Sequence, residues 1–218
     1  MQDRRLIADN LARVHNEIES RALEANRPSS DVTLCAVSKT FPADTIRQAI
    51  AAGQCVFGEN RVQEAEQKWP KLKAECDDIE LHLIGPLQTN KVRKAVSLFD
   101  VIQTVDRERL ARALAKEMAN ADRPLPCYVQ VNTGEEPQKA GIPPGETEAF
   151  VDLCRNDLGL DVVGLMCIPP HEEEPSPYFA LLQQMAARFG LSRLSMGMSA
   201  DYSVAVQFGA TVVRVGSA

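Results

Sequence analysis

The strongest constraint on this chain is a regular alternation. Short β-branched or apolar runs recur between segments of helical period along nearly the whole sequence. Eight runs read as strands, at 33–38, 55–58, 80–84, 101–104, 127–131, 162–166, 194–196 and 212–216. Before the first, Ile7, Leu11, Val14, Ile18 and Ala22 fall on one face of a helix. Between the strands, helical patterns occupy 45–52, 60–73, 91–98, 107–119, 146–156, 178–189 and 201–208. Strands that alternate with helices argue for parallel βα units. An open doubly wound sheet and a closed (β/α)8 barrel both satisfy the pattern. The count of eight, the even spacing and a length of 218 residues favour the barrel, whose lower size limit is about 200 residues. No GxGxxG follows the first strand, which weakens the dinucleotide-binding form of the open sheet. The expected architecture is a TIM-like α/β barrel over residues 1–218, one domain with an extra N-terminal helix.

Charge and composition exclude several functions. Lys plus Arg number 24 against 30 Asp plus Glu, a net charge of −6, and no basic block is present. Phosphate neutralisation needs clustered cations, so nucleic acid is not an expected partner. The N-terminus lacks an apolar leader, and no apolar run approaches the roughly 18 residues of a membrane span. Cysteines at 35, 55, 76, 127, 154 and 167 form no CxxC, and most sit in apolar runs. They read as small buried hydrophobes in a reducing compartment, so a cytoplasmic location is expected. His15, His82 and His171 form no HExxH or HxH pair, which argues against a metal enzyme. His82 reads as a satisfied core or pocket histidine. His171 with Glu172, Glu173 and Glu174 reads as a solvated acidic loop. No GxSxG is present to support a nucleophile triad.

In such a barrel the chemistry gathers at the C-terminal ends of the strands. The first strand runs into Ser38-Lys39-Thr40. Strand alternation puts Lys39 on the side of Cys35 and Val37. If that side faces the axis, the amine is expected in a confined, partly desolvated mouth. Desolvation favours the neutral amine, the form that attacks a carbonyl. The alternative is a lysine that merely begins a surface loop. After the seventh strand, Ser199 is placed to cap the following helix and offer an anion site. At the eighth, Gly216 permits close backbone approach, and Ser217 adds a hydroxyl and an amide. Loops after strands seven and eight commonly bind phosphate in this fold. Arg214 interrupts an apolar strand with the parity of Val212 and Gly216. It is either a donor to a ligand's ring nitrogen or the partner of a buried carboxylate. A lysine, an arginine and an anion cradle suit an aldehyde cofactor carrying a phosphate and a pyridine ring.

Several blocks carry a family resemblance. They include Ala36-Val37-Ser38-Lys39-Thr40, Phe57-Gly58-Glu59-Asn60-Arg61-Val62-Gln63-Glu64 and His82-Leu83-Ile84-Gly85-Pro86 with its continuation to Lys91. Gly164-Leu165-Met166-Cys167-Ile168-Pro169, Ser195-Met196-Gly197-Met198-Ser199 and Arg214-Val215-Gly216-Ser217-Ala218 belong with them. In this order they resemble the pyridoxal-phosphate homeostasis proteins over nearly the whole chain. The resemblance implies a fold like the barrel domain of alanine racemase. It implies pyridoxal 5′-phosphate held as a Schiff base on Lys39. It further implies phosphate contacts from Ser199, Gly216 and Ser217, Arg214 at the pyridine nitrogen, and Asn60 near the cofactor. Members of that family are thought to buffer the cofactor or deliver it, which makes cofactor-dependent apo-enzymes candidate partners. The sequence departs from the family twice. Ser203 replaces a frequent glutamate, and the sequence ends at Ala218 where the family continues with Ile-Phe-Gly, so either a shorter loop after strand eight or a truncated chain is expected.

The rival is an amino-acid racemase of the same fold. Racemisation needs acid–base groups on both faces of the α-carbon, and Lys39 supplies one. In alanine racemase the second is a tyrosine from an additional β-domain of the partner subunit, for which this chain has no room. Tyr128, Tyr178 and Tyr202 are the only tyrosines, and none lies in a recognisable catalytic motif. A third reading makes the barrel an interaction scaffold; the set Lys39, Ser199, Arg214 and Gly216 argues against it.

Overall fold

Strand-forming runs with alternating destinations for their side chains build a sheet that curls and closes on itself. A computed structural model describes residues 2–216, with side chains from Leu6 onward. The strands are β1 (Thr33–Val37), β2 (Val56–Glu59), β3 (Glu80–Leu83), β4 (Val101–Val105), β5 (Cys127–Val131), β6 (Val162–Cys167), β7 (Arg193–Met198) and β8 (Val212–Val215). The helices are α1 (Gln2–Glu24), α2 (Ala43–Ala51), α3 (Val62–Glu75), α4 (Val92–Leu98), α5 (Glu108–Asn120), α6 (Thr147–Asp152), α7 (Ser176–Arg188) and α8 (Tyr202–Gln207). Each strand pairs with the next in parallel, and β8 pairs with β1, from Thr33↔Val212 to Ala36↔Val215. The expected barrel is therefore the observed one.

Alternation along each strand sorts residues into two layers. Leu34, Phe57, Leu83, Ile102, Leu165 and Val213 point outward and pack with Trp69, Leu110, Phe179 and the other helix-layer residues. Cys35, Val101, Tyr128, Met166 and Val212 form a separate cluster inside the barrel. Polar side chains share that interior: His82, Gln103, Ser195 and Arg214 are all buried.

The N-terminal helix is not an appendage. Val14, Ile18 and Ala22 are buried, and α1 packs between α8 and α2. It takes the place that a helix following β8 would take. The outward faces of β8 and β1 would otherwise meet water at the seam, so α1 completes the helical ring. Among the described residues no helix is long and apolar enough to cross a membrane.

One irregularity shapes the rim. Ser195 pairs with Val212, but Met198 pairs with Arg214, so β7 carries one extra residue there. Gly197, at φ +93°, absorbs the bulge, and a Cβ there would meet that of Ala205 at 2.6 Å. Lower in the barrel, β6 and β7 approach closely at Gly164, where a Cβ would stand 2.1 Å from the Arg193 carbonyl oxygen. Gly164→Ala must push the two strands apart. The expected cost is about 1–3 kcal/mol, as for other overpacked sites. It should appear as a melting temperature lowered by several degrees, at about 2–4 °C per kcal/mol for a chain of this size.

Candidate functional site

Closure of the barrel brings four consecutive strand ends together in the order β7, β8, β1, β2. Ser199 follows β7, Arg214 and Gly216 mark the end of β8, Lys39 follows β1, and Asn60 follows β2. The rim thus gathers every site residue expected from sequence except Ser217. Ser217, with the shortened loop expected after it, lies outside the described residues.

Ser199 does not cap α8. Asp201 occupies the N-cap position, and its Oδ1 accepts a hydrogen bond from Met198 N at 2.6 Å. The extra residue in β7 shifts the frame and carries Ser199 toward β8 instead. There its Oγ accepts a hydrogen bond from Gly216 N at 3.1 Å. Gly216 lies tight against β1: a Cβ would stand 3.0 Å from Val37 Cβ and 3.2 Å from Val37 O. The Ser199 hydroxyl and the Gly216 backbone thus meet where these two strands end, and a side chain at 216 would press on Val37.

Arg214 is 4% exposed, and its described partners are neutral. Nη1 donates to Ser195 Oγ at 2.6 Å and Nη2 to the Cys167 carbonyl at 2.9 Å. The buried carboxylate weighed from sequence is not its partner. Burial pulls the guanidinium below its ordinary value, but an arginine retains its charge under ordinary conditions. The chain of bonds continues inward. Ser195 Oγ donates to Gln103 Oε1 at 2.6 Å, and Gln103 Nε2 donates to His82 Nδ1 at 2.6 Å. His82 Nε2 then donates to Glu80 Oε1 at 2.5 Å, and this bond holds the Glu80 carboxyl below its usual range. His82 is the satisfied interior histidine expected. The thiols of Cys35 and Cys167 are both pushed up to about 12 by burial, which makes them inert packing groups.

Lys39 departs from expectation. β1 ends at Val37, and residues 38–41 form a turn closed by Phe41 N donating to Ser38 O at 3.2 Å. Thr40 has φ +66°, unusual for a β-branched residue and worth about 1–3 kcal/mol of strain. Strand alternation cannot be extended through such a turn. Lys39 is exposed rather than desolvated. Among the described residues its ammonium has no hydrogen-bond or ion-pair partner.

The turn is held from behind by residues that sequence reasoning missed. Glu59 is wholly buried, and its Oε1 accepts from Ser38 Oγ at 2.8 Å and Trp69 Nε1 at 3.0 Å. Lys68 Nζ lies 2.8 Å from the same oxygen and donates to Ser38 O at 3.0 Å and Phe41 O at 3.3 Å. It also pairs with Glu64 Oε1 at 2.9 Å, and that oxygen accepts from Thr40 N at 2.6 Å. Burial alone would raise the Glu64 carboxyl, yet these bonds bring it below its usual value. Two signals were available: a carboxylate inside a buried strand, and the Glu64/Lys68 spacing of one helical turn. Asn60 is half-buried, and its backbone is pressed by Gly85, where a Cβ would meet Asn60 O at 2.3 Å. The Gly85 carbonyl in turn accepts from Thr104 Oγ1 at 2.9 Å. A cavity of about 290 Å³ lies between α1, α2 and β1, lined mainly by apolar residues such as Leu11, Ala36 and Ile46, and it reaches the rim at Ser38 and Gly216. Among the described residues no titratable side chain lines it.

Comparison with known proteins agrees with this fold. Residues 10–218 match the alanine racemase N-terminal domain. The pyridoxal phosphate homeostasis protein of Pasteurella multocida is 37% identical over 222 residues, covering 97% of this chain and 95% of the relative. PipY of Synechococcus elongatus, solved with PLP bound, is 39% identical with a TM-score of 0.83, covering 97% of this chain and 98% of its own. An alanine racemase of Clostridium difficile shares the fold alone, at 12% identity and a TM-score of 0.71, with 53% of its length covered. A shared barrel with near-complete coverage in both directions places the chain in the alanine racemase N-terminal domain family, among its pyridoxal phosphate homeostasis proteins.

Proposed function

We propose that this chain binds pyridoxal 5′-phosphate at the rim formed by β7, β8, β1 and β2, attaches it to Lys39, and stores or delivers it without substrate turnover. The observation that carries the reading is Lys39 itself. It is an amine with no partner among the described residues, at a strand end flanked by a hydroxyl, a buried guanidinium and a glycine. When bound, the cofactor supplies an aldehyde carbon to which the lysine nitrogen bonds while the carbonyl oxygen leaves as water. The residues present fit such a group. Ser199 and Gly216, with Ser217 next to Gly216 in sequence, hold the phosphate. Arg214 is oriented by Ser195 and Cys167, and of its five N–H donors the remainder are available to a ring nitrogen. An arginine there leaves the ring nitrogen unprotonated and weakens the ring as an electron sink. Asn60 stands on the fourth strand end as a further polar contact.

The same reading places the protein in the cytoplasm, with apo-enzymes that need this cofactor as recipients. Against racemisation stands the placement of the three tyrosines, none of which has a described contact with Lys39. Tyr128 is 1% exposed within the barrel interior, and Tyr178, on α7, bonds Glu173. Tyr202, on α8, packs against the hydrophobic core.

Three outcomes are expected. Purified protein with added cofactor should turn yellow, and borohydride should fix the label on Lys39; Lys39→Ala should lose the absorbance band and keep its fold. Retention of the band would move the attachment to another lysine, Lys91 or Lys139 first. Ser199→Ala should weaken cofactor retention, measured by dialysis against a competing apo-enzyme. One hydrogen bond to a charged group is worth about 1.5–3 kcal/mol, or roughly ten- to over a hundredfold in affinity. Incubation with L- or D-alanine and chiral analysis of the product should show no efficient interconversion. Rates of about 1–10³ s⁻¹, usual for enzymes, that vanish in Lys39→Ala would establish the racemase instead.

A further inference from the structure

The turn that presents Lys39 does not hold itself. Its single internal hydrogen bond, from Phe41 N to Ser38 O, is long at 3.2 Å, and Thr40 sits at φ +66° where a branched Cβ is disfavoured. Four of its polar groups are held by side chains of β2 and α3. Lys68 Nζ reaches the carbonyls at both ends of the turn, Ser38 at 3.0 Å and Phe41 at 3.3 Å. Glu64 accepts the Thr40 amide at 2.6 Å, and the buried Glu59 takes the Ser38 hydroxyl at 2.8 Å. The two carboxylates are joined through the same ammonium, at 2.8 Å from Glu59 and 2.9 Å from Glu64. The Lys68 side chain is 11% exposed, so these bonds act in a medium where water competes weakly.

We propose that Lys68, bridged to Glu59 and Glu64, is a positioning residue that fixes the strained turn so that the Lys39 amine faces the cofactor. The proposal rests on the reading of Lys39 as the attachment point. Its physical content is a division of labour. Phosphate binding depends on Ser199 and Gly216, which the Lys68 cluster does not touch, whereas covalent attachment depends on where the turn aims Lys39. A relaxed turn would leave Lys39 free in solvent, with its amine spread over many directions, and attachment would weaken while phosphate binding stayed the same. Thr40 enters the argument with the opposite sign. A glycine adopts a positive φ without help, so Thr40→Gly should reduce the need for the clamp.

The test uses the full chain. Removing Lys68 alone would strand the buried Glu59 carboxylate, so the main variant is the double replacement Glu59→Gln with Lys68→Met, accompanied by Glu64→Gln. Melting temperatures identify which variants are folded. Covalent occupancy is read by mass after borohydride, across a series of pyridoxal 5′-phosphate concentrations. Non-covalent retention is read separately in a Lys39→Ala background. In folded variants the concentration for half-maximal attachment should rise about tenfold, the scale set by releasing one strained backbone conformation. Non-covalent retention in the Lys39→Ala background should stay within about twofold of Lys39→Ala alone. Adding Thr40→Gly to the double variant should recover part of the lost attachment. Unchanged attachment in the folded variants would overturn the proposal. A parallel loss of attachment and non-covalent retention would overturn it too, because it would mean general damage to the rim. Attachment that persists in Lys39→Ala would instead remove the reading of Lys39 beneath it.

Discussion

Hydrogen bonding between β1 and β8 is the constraint on which the rest depends. These strands lie nearly 180 residues apart in sequence, with Thr33 opposite Val212. Their pairing leaves no edge strand and makes neighbours of the first and last strand ends. Of the expected site residues that are described, Ser199, Arg214, Gly216 and Lys39 stand on β7, β8 and β1 or directly after them, and Asn60 follows β2 next door. Without the closure, Lys39 and Gly216 would sit at opposite margins of an open sheet. The seam also explains α1, whose buried face covers outer surfaces that β1 and β8 would otherwise expose.

Two polar assemblies brace this rim from behind, and both obey the rule that buried polar groups need partners. One runs inside the barrel from Arg214 through Ser195, Gln103 and His82 to Glu80. Each member donates to the next, so a cation at the rim is linked to a carboxylate at the start of β3. The other lies outside the barrel, where Glu59, Lys68 and Glu64 grip the turn after β1. The first fixes a guanidinium by burying it. The second fixes a backbone turn and leaves the lysine it carries exposed. The difference suits the proposed roles, since a ring contact needs a fixed donor and an attachment point needs an accessible amine.

Much of the fold was legible because it is written in short-range periodicities. Runs of apolar and β-branched residues marked all eight strands, and the parity of Arg214 with Val212 correctly assigned it to the interior. The failures occurred where a local rule was carried past the end of its element. Alternation predicts the side of Lys39 only if β1 continues past Val37, but the strand stops there and a positive φ follows at Thr40. The position of Ser199 just before the helix suggests a cap, but β7 carries an extra residue at its end and the N-cap position belongs to Asp201. Glu59 and Glu64 lie in the segment 57–64 and Lys68 four residues beyond it, yet nothing in their spacing says that they meet the turn after β1.

The sequence by itself determined the element order, the parallel barrel, the family and the residue types brought to the rim. These follow from hydrophobic period and from motifs a few residues long, which need no knowledge of the rest of the chain. Only the tertiary structure decided what each of those residues touches. Arg214 faces a serine and a carbonyl instead of a carboxylate, and Ser199 meets Gly216 across 17 residues of sequence. Ser195 finds Gln103 across 92 residues, and Lys68 finds Ser38 across 30. Such contacts are set by closure of the barrel and by packing of α3 against it. Side-chain direction beyond the last paired residue of a strand depends on those long-range neighbours, and local pattern does not encode them.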